Sequence, residues 1–318
     1  MSRVFVSRAI PGDALNRLAA AHDVEVFGED RVPTRAELHA GVADADALLS
    51  MLTERVDDTL FDVAPRLRAV ANYAVGYDNV DLEAATARDI PVGNTPDVLT
   101  GATADLALAL MLGISRRLLE GDAHVRAGEW GPWNPNLLLG RDLHGATVGI
   151  VGYGRIGRAV GERVAGFGCE LLHTSRSDGV ALEELLERSD FVSIHCPLTP
   201  ATWGLIDAAA FARMRPTAYL VNTARGPIVE TEALRQALHA GRIAGAALDV
   251  TDPEPLPADH PLLEAPNLLV LPHLGSGTHA SRAAMSDRAV DNLLAALAGE
   301  RMPYCANPEV YDSARSAD

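Results

Sequence analysis

Three polar side chains with complementary chemistry lie at or soon after the ends of apolar runs in the second half of this 318-residue chain. Arg225 follows the run A-Y-L-V-N, Glu254 lies in T-D-P-E-P, and His273 closes L-L-V-L-P-H. A guanidinium offers paired donors to a carboxylate, and an imidazole can give or take a proton near neutral pH. A carboxylate beside that imidazole would orient the ring and stabilise its charged form. These residue types therefore indicate acid–base chemistry on a small molecule that carries a carboxylate.

The choice of the acid–base histidine stays open at this point. His195 also ends an apolar run, in S-I-H-C-P, and it competes with His273 for the same role. Asp249, which ends the run A-A-L-D-V, is a further carboxylate at a predicted strand end. Position and spacing alone do not distinguish between the two histidines.

The stretch 146–160 carries a glycine pattern that is typical of dinucleotide binding. Val148–Val151 form an unbroken apolar run, as a strand buried on both faces requires. Gly152, Gly154 and Gly157 follow in G-x-G-x-x-G spacing, and a helical pattern comes next. The glycines allow a tight turn, close approach of a pyrophosphate and close packing of helix on strand, while the helix N-terminus favours the phosphate charge. Because strand and helix flank the motif, we predict a dinucleotide site and not merely a glycine-rich turn.

The end of the next predicted strand bears on the type of dinucleotide. The run E-L-L-H-T-S-R ends in Ser175 and Arg176, Ser177 follows, and the first acid, Asp178, comes only after them. NAD-binding units place an acid at this strand end, whereas an arginine there accommodates a 2′-phosphate. The residues therefore favour NADP(H) over NAD(H), which remains the alternative if Arg176 is only a solvated surface side chain.

Alternating apolar runs and amphipathic stretches predict the elements that position these residues. Strands alternating with helices imply parallel sheets that are covered on both faces, and the chain is long enough for two domains. The predicted strands are Val4–Val6, Val24–Phe27, Ala47–Ser50, Ala69–Asn72 and Pro91–Gly93, then Thr147–Val151, Glu170–His173, Phe191–His195, Ala218–Asn222, Ala246–Val250 and Leu268–Leu271. The predicted helices are Ala14–Ala21, Arg35–Ala40, Asp58–Val63, Leu82–Arg88, about 155–166, 181–188, 207–213, 231–240 and Ala280–Ala298.

Three further segments lie between these regions and at the end of the chain. One long helix, about Ala102–Arg126, is predicted either as a spacer between domains or as a core helix of the second domain. The loop Gly128–Gly140 holds Trp130 and Trp133 among prolines, and such an apolar loop indicates a subunit contact. The polar end, Asp312–Asp318, is predicted to be disordered.

The composition excludes several classes of function. A net charge of −16 and a pI near 5.0 argue against nucleic-acid and anionic-membrane partners. All 27 basic residues are arginines, which excludes Schiff-base, pyridoxal-phosphate and Walker-A chemistry. Three scattered cysteines fit neither a disulfide framework nor a zinc site. The N-terminus does not resemble a signal peptide and no apolar helix is long enough to span a bilayer, so we expect a cytoplasmic enzyme.

Five sequence blocks together resemble the D-2-hydroxyacid dehydrogenase family over nearly the whole chain. The blocks are N-Y-A-V-G-Y-D-N-V-D-L at 72–82, V-G-Y-G-R-I-G at 151–157, N-T-A-R-G at 222–226, L-D-V-T-D-P-E-P-L-P at 248–257 and P-H-L-G-S at 272–276. The first block and the ending L-L-A-A-L-A-G-E-R-M-P are most similar to the glyoxylate/hydroxypyruvate reductase branch. Four blocks in family order, besides the glycine motif, make the resemblance specific.

The resemblance implies roles for individual residues of this chain. It implies Arg225, Glu254 and His273 for catalysis, Arg225 and the backbone N–H groups of Val75 and Gly76 for the substrate carboxylate, and Thr103, Gly152, Gly154, Arg155, Ile156, Gly157, Ser175, Arg176, Cys196, Thr223 and Asp249 for the cofactor. It places His195 near the cofactor instead of in the catalytic trio. It implies a homodimer whose two domains close over the substrate. We expect no metal site.

The expected fold is α/β, with two doubly wound parallel-sheet domains and the active site in the cleft between them. Residues 1–97 and 287–318 are expected to form a smaller, flavodoxin-like substrate domain, and residues 98–286 a Rossmann cofactor domain. The expected activity is reduction of a small 2-keto acid to the D-2-hydroxy acid, most specifically of glyoxylate and hydroxypyruvate. Alternatives are pyruvate, branched 2-keto acids or 3-phosphohydroxypyruvate, or a nucleotide-sensing binding protein like the family's corepressor branch.

Overall fold

A computed structural model of the chain describes residues 1–313 and divides into two compact units. Of the described residues, unit 1 comprises Met1–Leu99 and those from Thr278 to Ser313, and unit 2 comprises Thr100–Gly277. The chain thus passes from one unit to the other at 99/100 and at 277/278, whereas the sequence analysis placed these two boundaries at 97/98 and 286/287. The last long helix, His279–Leu297, begins just after this second boundary, and its main contacts are with elements of unit 1.

The helices and strands follow one another in regular alternation. The strands are β1 (Arg3–Val6), β2 (Asp23–Val26), β3 (Ala47–Ser50), β4 (Ala69–Asn72), β5 (Val92–Gly93), β6 (Thr147–Val151), β7 (Glu170–Thr174), β8 (Phe191–Ile194), β9 (Tyr219–Asn222), β10 (Gly245–Leu248) and β11 (Leu268–Val270). The α-helices are α1 (Ala14–Ala21), α2 (Arg35–Val42), α3 (Asp58–Val63), α4 (Leu82–Thr86), α5 (Thr100–Ser115), α6 (Leu118–Arg126), α7 (Arg155–Ala165), α8 (Leu182–Arg188), α9 (Ala208–Arg213), α10 (Thr231–His239), α11 (His279–Leu297) and α12 (Val310–Ser313). Short 3-10 turns occur at Gly226–Ile228 and Pro261–Glu264.

Unit 1 contains one parallel sheet in the order β2-β1-β3-β4-β5. This is the flavodoxin-like strand order, in which the chain leaves β1 in opposite directions for β2 and β3. Its central strands, β3 and β4, are buried along their whole length because helices cover both faces of the sheet. Side chains of Asp57 and Asp81 accept the Leu60 and Ala84 N–H groups and so cap α3 and α4.

The C-terminal part of the chain completes unit 1. Helix α11 packs on α1 and on strands β3, β4 and β5, with Met285, Ala289 and Leu293 buried. Asn307, which follows this helix, is fully buried and its Oδ1 accepts the N–H of Val92 at 2.7 Å. The predicted disorder of Asp312–Asp318 is wrong for Asp312 and Ser313, which belong to α12, and the rest of that stretch lies outside the described residues.

Unit 2 contains a second parallel sheet in the order β11-β10-β9-β8-β6-β7. Helices α8, α9 and α10 pack on one face of this sheet and α5 and α7 pack on the other. The chain reverses direction at β6, whose neighbours are β7 and β8, and ligands of doubly wound sheets bind beside such a switch point. The predicted α/β class with two doubly wound parallel sheets is therefore confirmed.

The single long helix predicted for Ala102–Arg126 is wrong. The chain breaks into α5 and α6 at Arg117, which adopts a left-handed backbone conformation with φ 53°. The carbonyl of Ser115, at the end of α5, accepts the N–H of Arg141 at 2.9 Å, so a distant segment caps the helix there. Helix α5 is a core helix of unit 2, because Ala104, Ala107 and Met111 are fully buried against the sheet.

Within the described residues, no helix combines the length and the apolar character that a membrane crossing requires. The same residues contain no group of three or more His, Cys, Asp or Glu side chains arranged to hold a metal ion.

Candidate active site

The carboxyl ends of four adjacent strands bring the candidate acid–base residues of unit 2 to one edge of its sheet. His273 follows β11, Asp249 follows β10, Arg225 follows β9 and His195 follows β8. Glu254 lies in the loop that begins at Asp249. All strands of the sheet are parallel, so these loops leave from the same edge. This neighbourhood follows from the strand order and not from closeness in sequence.

His273 and Glu254 form a direct pair. Nδ1 of His273 lies 2.6 Å from Oε1 of Glu254, and about a quarter to a third of each side chain is exposed. A carboxylate on Nδ1 fixes the orientation of the ring and holds the proton on that nitrogen. Nε2 is then left to exchange a proton with a bound molecule, which is the arrangement expected of a general acid or base.

The turn that carries His273 is held by Asp249 and Thr103. His273 has φ 57°, an unfavourable value for a residue with a side chain. The two carboxylate oxygens of Asp249 accept the N–H groups of Leu274 at 2.6 Å and Gly275 at 2.7 Å, and its carbonyl accepts the His273 N–H. Thr103 donates its hydroxyl to the Gly275 carbonyl at 3.1 Å. Asp249 and Thr103, implied as cofactor contacts by the resemblance, therefore make contacts that position the His273 turn.

Burial affects the carboxyl group of Asp249. This side chain is 1% exposed, and its removal from water raises the pKa of the carboxyl above its usual range, against the opposing effect of the two N–H donors. A buried carboxylate that accepts two backbone N–H groups is well satisfied in its ionised form. Such an arrangement makes the geometry of residues 273–275 stiff.

Arg225 lies in a turn that is fixed by Asn222. Oδ1 of Asn222 accepts the N–H of Ala224 at 3.0 Å, and its Nδ2 donates to the carbonyl of Arg225 at 2.8 Å. A Cβ atom at Gly226 would overlap the carbonyl oxygen of Thr251, so only glycine allows these two loops to approach so closely. Because Thr251 lies three residues before Glu254, this contact brings the arginine loop against the glutamate loop.

His195 has different surroundings from His273. Its Nε2 lies 2.8 Å from the hydroxyl of Ser193 and its Nδ1 lies 3.4 Å from that of Thr223. Burial among neutral groups lowers the pKa of His195 to about 4. His195 faces two hydroxyls, whereas His273 is paired with a carboxylate, so the geometry favours His273 for the acid–base role that residue position and spacing left open.

The glycine motif has the geometry of a phosphate-binding turn. Gly152 has φ 94°, and a Cβ there would overlap the backbone of Cys196 in the neighbouring loop. A Cβ at Gly157 would overlap the carbonyl of Gly152, so the first turn of α7 can pack closely on β6. Gly154 has an ordinary φ of −80° and faces open space in front of the N-terminus of α7. Of the three glycines, Gly154 alone has no protein neighbour that requires it, which fits close approach of a ligand phosphate to this helix start.

The turn after β7 places an acid beside the predicted arginine. Backbone N–H and hydroxyl of Ser175 both donate to the carbonyl of Asp178, at 2.9 and 3.0 Å, so the chain folds back over residues 175–178. Nε2 of His173 lies 3.3 Å from the Asp178 carboxylate, and this contact lowers the pKa of Asp178. Arg176 is exposed at the tip of the turn. The sequence placed Asp178 beyond the strand end, but the turn returns it to that end.

The remaining predicted cofactor residues lie in α7 and after β8 and β9, and the predicted substrate-binding backbone lies in unit 1. Arg155 is exposed and Ile156 half-buried in the first turn of α7, while Cys196 and Thr223 are buried after β8 and β9. Val75 and Gly76 belong to unit 1, in the half-buried loop that follows β4. Sequence reasoning missed Asn222 as the residue that fixes the Arg225 turn, although an asparagine at a strand end before a turn is a recognisable signal.

Comparison with known proteins yields a consistent set of relatives. The NAD-binding-domain model of the D-isomer specific 2-hydroxyacid dehydrogenases matches residues 108–275. A glyoxylate reductase of Thermococcus gammatolerans is 48% identical and covers 97% of this chain and 96% of its own length. The structure of the TT0316 protein from Thermus thermophilus superposes with a TM-score of 0.92 at 47% identity, covering 96% of this chain and 99% of that chain.

A further solved relative contains ligands. The NADPH-dependent glyoxylate/hydroxypyruvate reductase of Sinorhizobium meliloti, in complex with NADP and malonate, has a TM-score of 0.83 at 33% identity, covering 96% of this chain and 97% of that chain. Together with the doubly wound fold, these matches define an oxidoreductase that uses a nicotinamide dinucleotide. Within that class the chain belongs to the D-isomer specific 2-hydroxyacid dehydrogenase family, which confirms the predicted family.

Proposed function

We propose that this enzyme reduces glyoxylate and hydroxypyruvate to glycolate and D-glycerate, with NADPH as the preferred cofactor. The observation that carries the proposal is the His273–Glu254 pair at the same sheet edge as Arg225. Relatives of 43–48% identity that are named glyoxylate reductase support the choice of substrate.

In the proposed reaction, the site residues bind the substrate carboxylate and move one proton. When bound, the nicotinamide cofactor supplies the hydride that attacks the keto carbon. Nε2 of protonated His273 gives its proton to the carbonyl oxygen, so the C=O group becomes CH–OH and His273 becomes neutral. Glu254 keeps the ring oriented during this transfer, and Arg225 binds the carboxylate and polarises the carbonyl. Val75 and Gly76 of unit 1 hold the carboxylate through backbone N–H groups.

The residues of unit 2 fit a nicotinamide dinucleotide. Gly154 leaves room at the start of α7, where the first-turn N–H groups and helix dipole favour a pyrophosphate. The loops that contain Cys196, Thr223 and Asp249 lead from there along the sheet edge towards His273. Unit 2 is accordingly proposed as the cofactor domain and unit 1 as the substrate domain.

The direct test measures initial rates of NADPH and NADH oxidation with glyoxylate, hydroxypyruvate and pyruvate in parallel. The proposal expects turnover with the first two acids and a clear preference for NADPH. A strong preference for pyruvate would contradict the proposed substrates but would agree with the proposed reaction, the reduction of a 2-keto acid. Absence of turnover with all three acids, with NADPH still bound, would instead favour another keto acid or a nucleotide-sensing binding protein.

The preference for NADPH rests on the charge around the turn after β7. Arg176 is flanked by two serines and lies outside the strand, so its side chain can turn to a 2′-phosphate. Arg158 of α7, which stacks on Tyr153, adds a second positive charge near the turn and contributes to the lowered pKa of Asp178. Asp178 opposes these charges, so NAD(H) remains the alternative cofactor.

Replacing Arg176 with alanine is expected to weaken NADPH binding by about 10- to 100-fold, because one charge-assisted contact is lost. NADH binding is expected to change little, since NADH lacks the 2′-phosphate. Equilibrium titration of cofactor fluorescence measures both Kd values. Arg213→Ala, which removes an exposed arginine paired with Glu187, is the matched control. Equal weakening of both cofactors in Arg176→Ala would contradict the proposed role.

A homodimer is proposed from the apolar surface of residues 118–139, here called the arm. Helix α6 has no buried residue, and the following loop exposes Trp130 by 71% and Trp133 by 86%. Leu118, Leu119 and Leu139 are exposed in the same segment. Such a concentration of large apolar side chains marks an interface with another protein surface, and a second copy of the chain accounts for it most simply.

The change Trp133→Glu is expected to shift the enzyme from dimer to monomer, because a charge on the arm would be buried in the proposed interface. Sedimentation velocity over a range of concentrations measures the effect. Trp203→Glu is the matched control, since Trp203 is 64% exposed in a different loop. A wild-type monomer, or an unchanged dimer in Trp133→Glu, would contradict the proposed interface.

The proposed location is the cytoplasm. Cys169, Cys196 and Cys305 are free thiols in the structure, which suits a reducing compartment.

A further inference from the structure

The loop that contains Val75 and Gly76 has three consecutive carbonyl groups that are each held by a donor. The Ala74 carbonyl accepts the backbone N–H of Thr95 at 2.8 Å. The Val75 carbonyl accepts Nδ2 of Asn94 at 2.8 Å, and the Gly76 carbonyl accepts Nδ2 of Asn72 at 3.0 Å. The adjacent pair Asn94 and Thr95 thus holds two peptide planes of the loop.

A hydrogen bond that holds a carbonyl group also fixes the direction of the N–H group in the same peptide unit. The peptide bond is planar and trans, so the N–H of each residue points opposite to the carbonyl of the residue before it. Thr95 therefore fixes the direction of the Val75 N–H, and Asn94 fixes that of the Gly76 N–H. These are the two donors proposed to hold the substrate carboxylate.

Asn94 is itself anchored on both sides. Its N–H donates to the carbonyl of Tyr304 at 3.0 Å, and its carbonyl accepts Nδ2 of Asn292 at 3.0 Å. Asn292 is fully buried in α11, and a Cβ at Gly93 would overlap its side-chain amide. The backbone of Asn94 is therefore not free to move, so its side-chain amide is a fixed point for the loop.

We propose that Asn94 is a positioning residue for substrate binding: its amide holds the Val75 carbonyl so that the Gly76 N–H is directed at the substrate carboxylate. The inference rests on the proposed function, in which this loop binds the carboxylate. Asn94 acts through the loop and takes no part in proton transfer. Its loss removes an interaction made equally in the ground state and the transition state, so KM changes while kcat is preserved.

The test compares Asn94→Ala and Asn94→Asp with the wild-type enzyme, saturated with NADPH. Asn94→Asp preserves the shape of the side chain but replaces the donor with an oxygen that faces the Val75 carbonyl. Both variants are expected to raise the KM for glyoxylate by about 10- to 100-fold with kcat nearly unchanged, because a charge-assisted contact is misdirected. Asn94→Asp is expected to be at least as impaired as Asn94→Ala, which a loss of packing alone would not produce.

Two further measurements keep the result interpretable. Titration of the NADPH complex with oxamate, a non-reducible analogue of glyoxylate, should show a parallel rise in Kd. Asn307→Ala is the matched control, because Asn307 is a buried asparagine of unit 1 whose side chain bonds to Val92, Thr86 and Ile90 instead of to the loop. This control is expected to lower Tm and leave KM unchanged.

These measurements distinguish a failure of the proposed Asn94 role from a failure of the proposed function. If wild-type enzyme reduces glyoxylate but both Asn94 variants keep its KM and the Kd for oxamate, the positioning role is wrong and the proposed function stands. An equal loss of kcat and kcat/KM would also overturn it, since Asn94 would then act in the chemical step. If the wild-type enzyme binds NADPH but neither reduces 2-keto acids nor binds oxamate, the proposed function fails and the positioning role fails with it.

Discussion

Replacing His273 with alanine is expected to lower kcat for glyoxylate reduction by about 10²- to 10⁴-fold, the usual contribution of a positioned general acid. The variant removes the group in the proposed site that is paired with a carboxylate and able to protonate the carbonyl oxygen. Hydride transfer would then leave an alkoxide without the proton that His273 supplies. Binding of NADPH is expected to be unchanged, because the glycine turn and its helix are untouched. Steady-state rates and a cofactor titration measure the two effects separately.

The matched control for this variant is His195→Gln. Burial lowers the pKa of His195 to about 4, so its ring is neutral at pH 7. Glutamine can keep contacts with the hydroxyls of Ser193 and Thr223. Most of the turnover should therefore remain. Near-normal kcat in His273→Ala together with a large loss in His195→Gln would reverse the assignment of the acid.

The change Arg225→Lys is expected to reduce kcat/KM for glyoxylate by about 10²-fold although the positive charge is kept. A guanidinium offers two parallel donors in a fixed plane, whereas an ammonium is a point charge on a flexible stem. Losing one charge-assisted hydrogen bond and the alignment of the other accounts for a change of this size. The turn around Arg225 is held by Asn222 and by the close approach of Gly226 to Thr251, so the backbone is expected to stay in place.

Rates over a range of glyoxylate concentrations separate binding from chemistry in this variant. A rise in KM alone would show that Arg225 only holds the carboxylate, while a fall in kcat as well would show that it also polarises the carbonyl. The control Arg213→Lys changes an exposed arginine that pairs with Glu187. Unchanged kcat/KM in Arg225→Lys would count against any role of this residue in substrate binding.

The fold could be predicted from the sequence because its strands are parallel and buried on both faces. Such strands appear as short apolar runs, and β3, β4, β6 and β9 begin or end within one residue of the predicted bounds. The strand–turn–helix context of the glycine motif could be predicted too, since the strand before it and the helix after it are local features. The caps of α3 and α4 are local as well, because each depends on an aspartate three residues before the N–H that it binds.

What the sequence did not predict depends on contacts between distant residues. The break at Arg117 has no glycine or proline to signal it, and it is stabilised by Arg141, which follows 24 residues later. Residue position and spacing, without the family resemblance, likewise left open the choice between His195 and His273, because one ring faces hydroxyls and the other a carboxylate from a different loop. The turn that returns Asp178 to the end of β7 is short, but its closure by Ser175 is not evident from composition.

The completion of unit 1 by the C-terminal chain has a consequence for how the protein is made. The ribosome synthesises the first 99 residues, then all of unit 2, and only then the helix α11 that covers β3, β4 and β5. Unit 2 is one continuous stretch and can fold while it emerges from the ribosome. Unit 1 cannot complete its fold until α11 has been synthesised, so its sheet stays partly uncovered until then. Contacts such as that of Asn307 with Val92 span 215 residues, and closing so long a loop slows their formation. Asn292 of α11 donates to the carbonyl of Asn94, the residue proposed to hold the loop of Val75 and Gly76, so this proposed substrate loop is expected to be among the last parts of a newly made chain to reach its final shape.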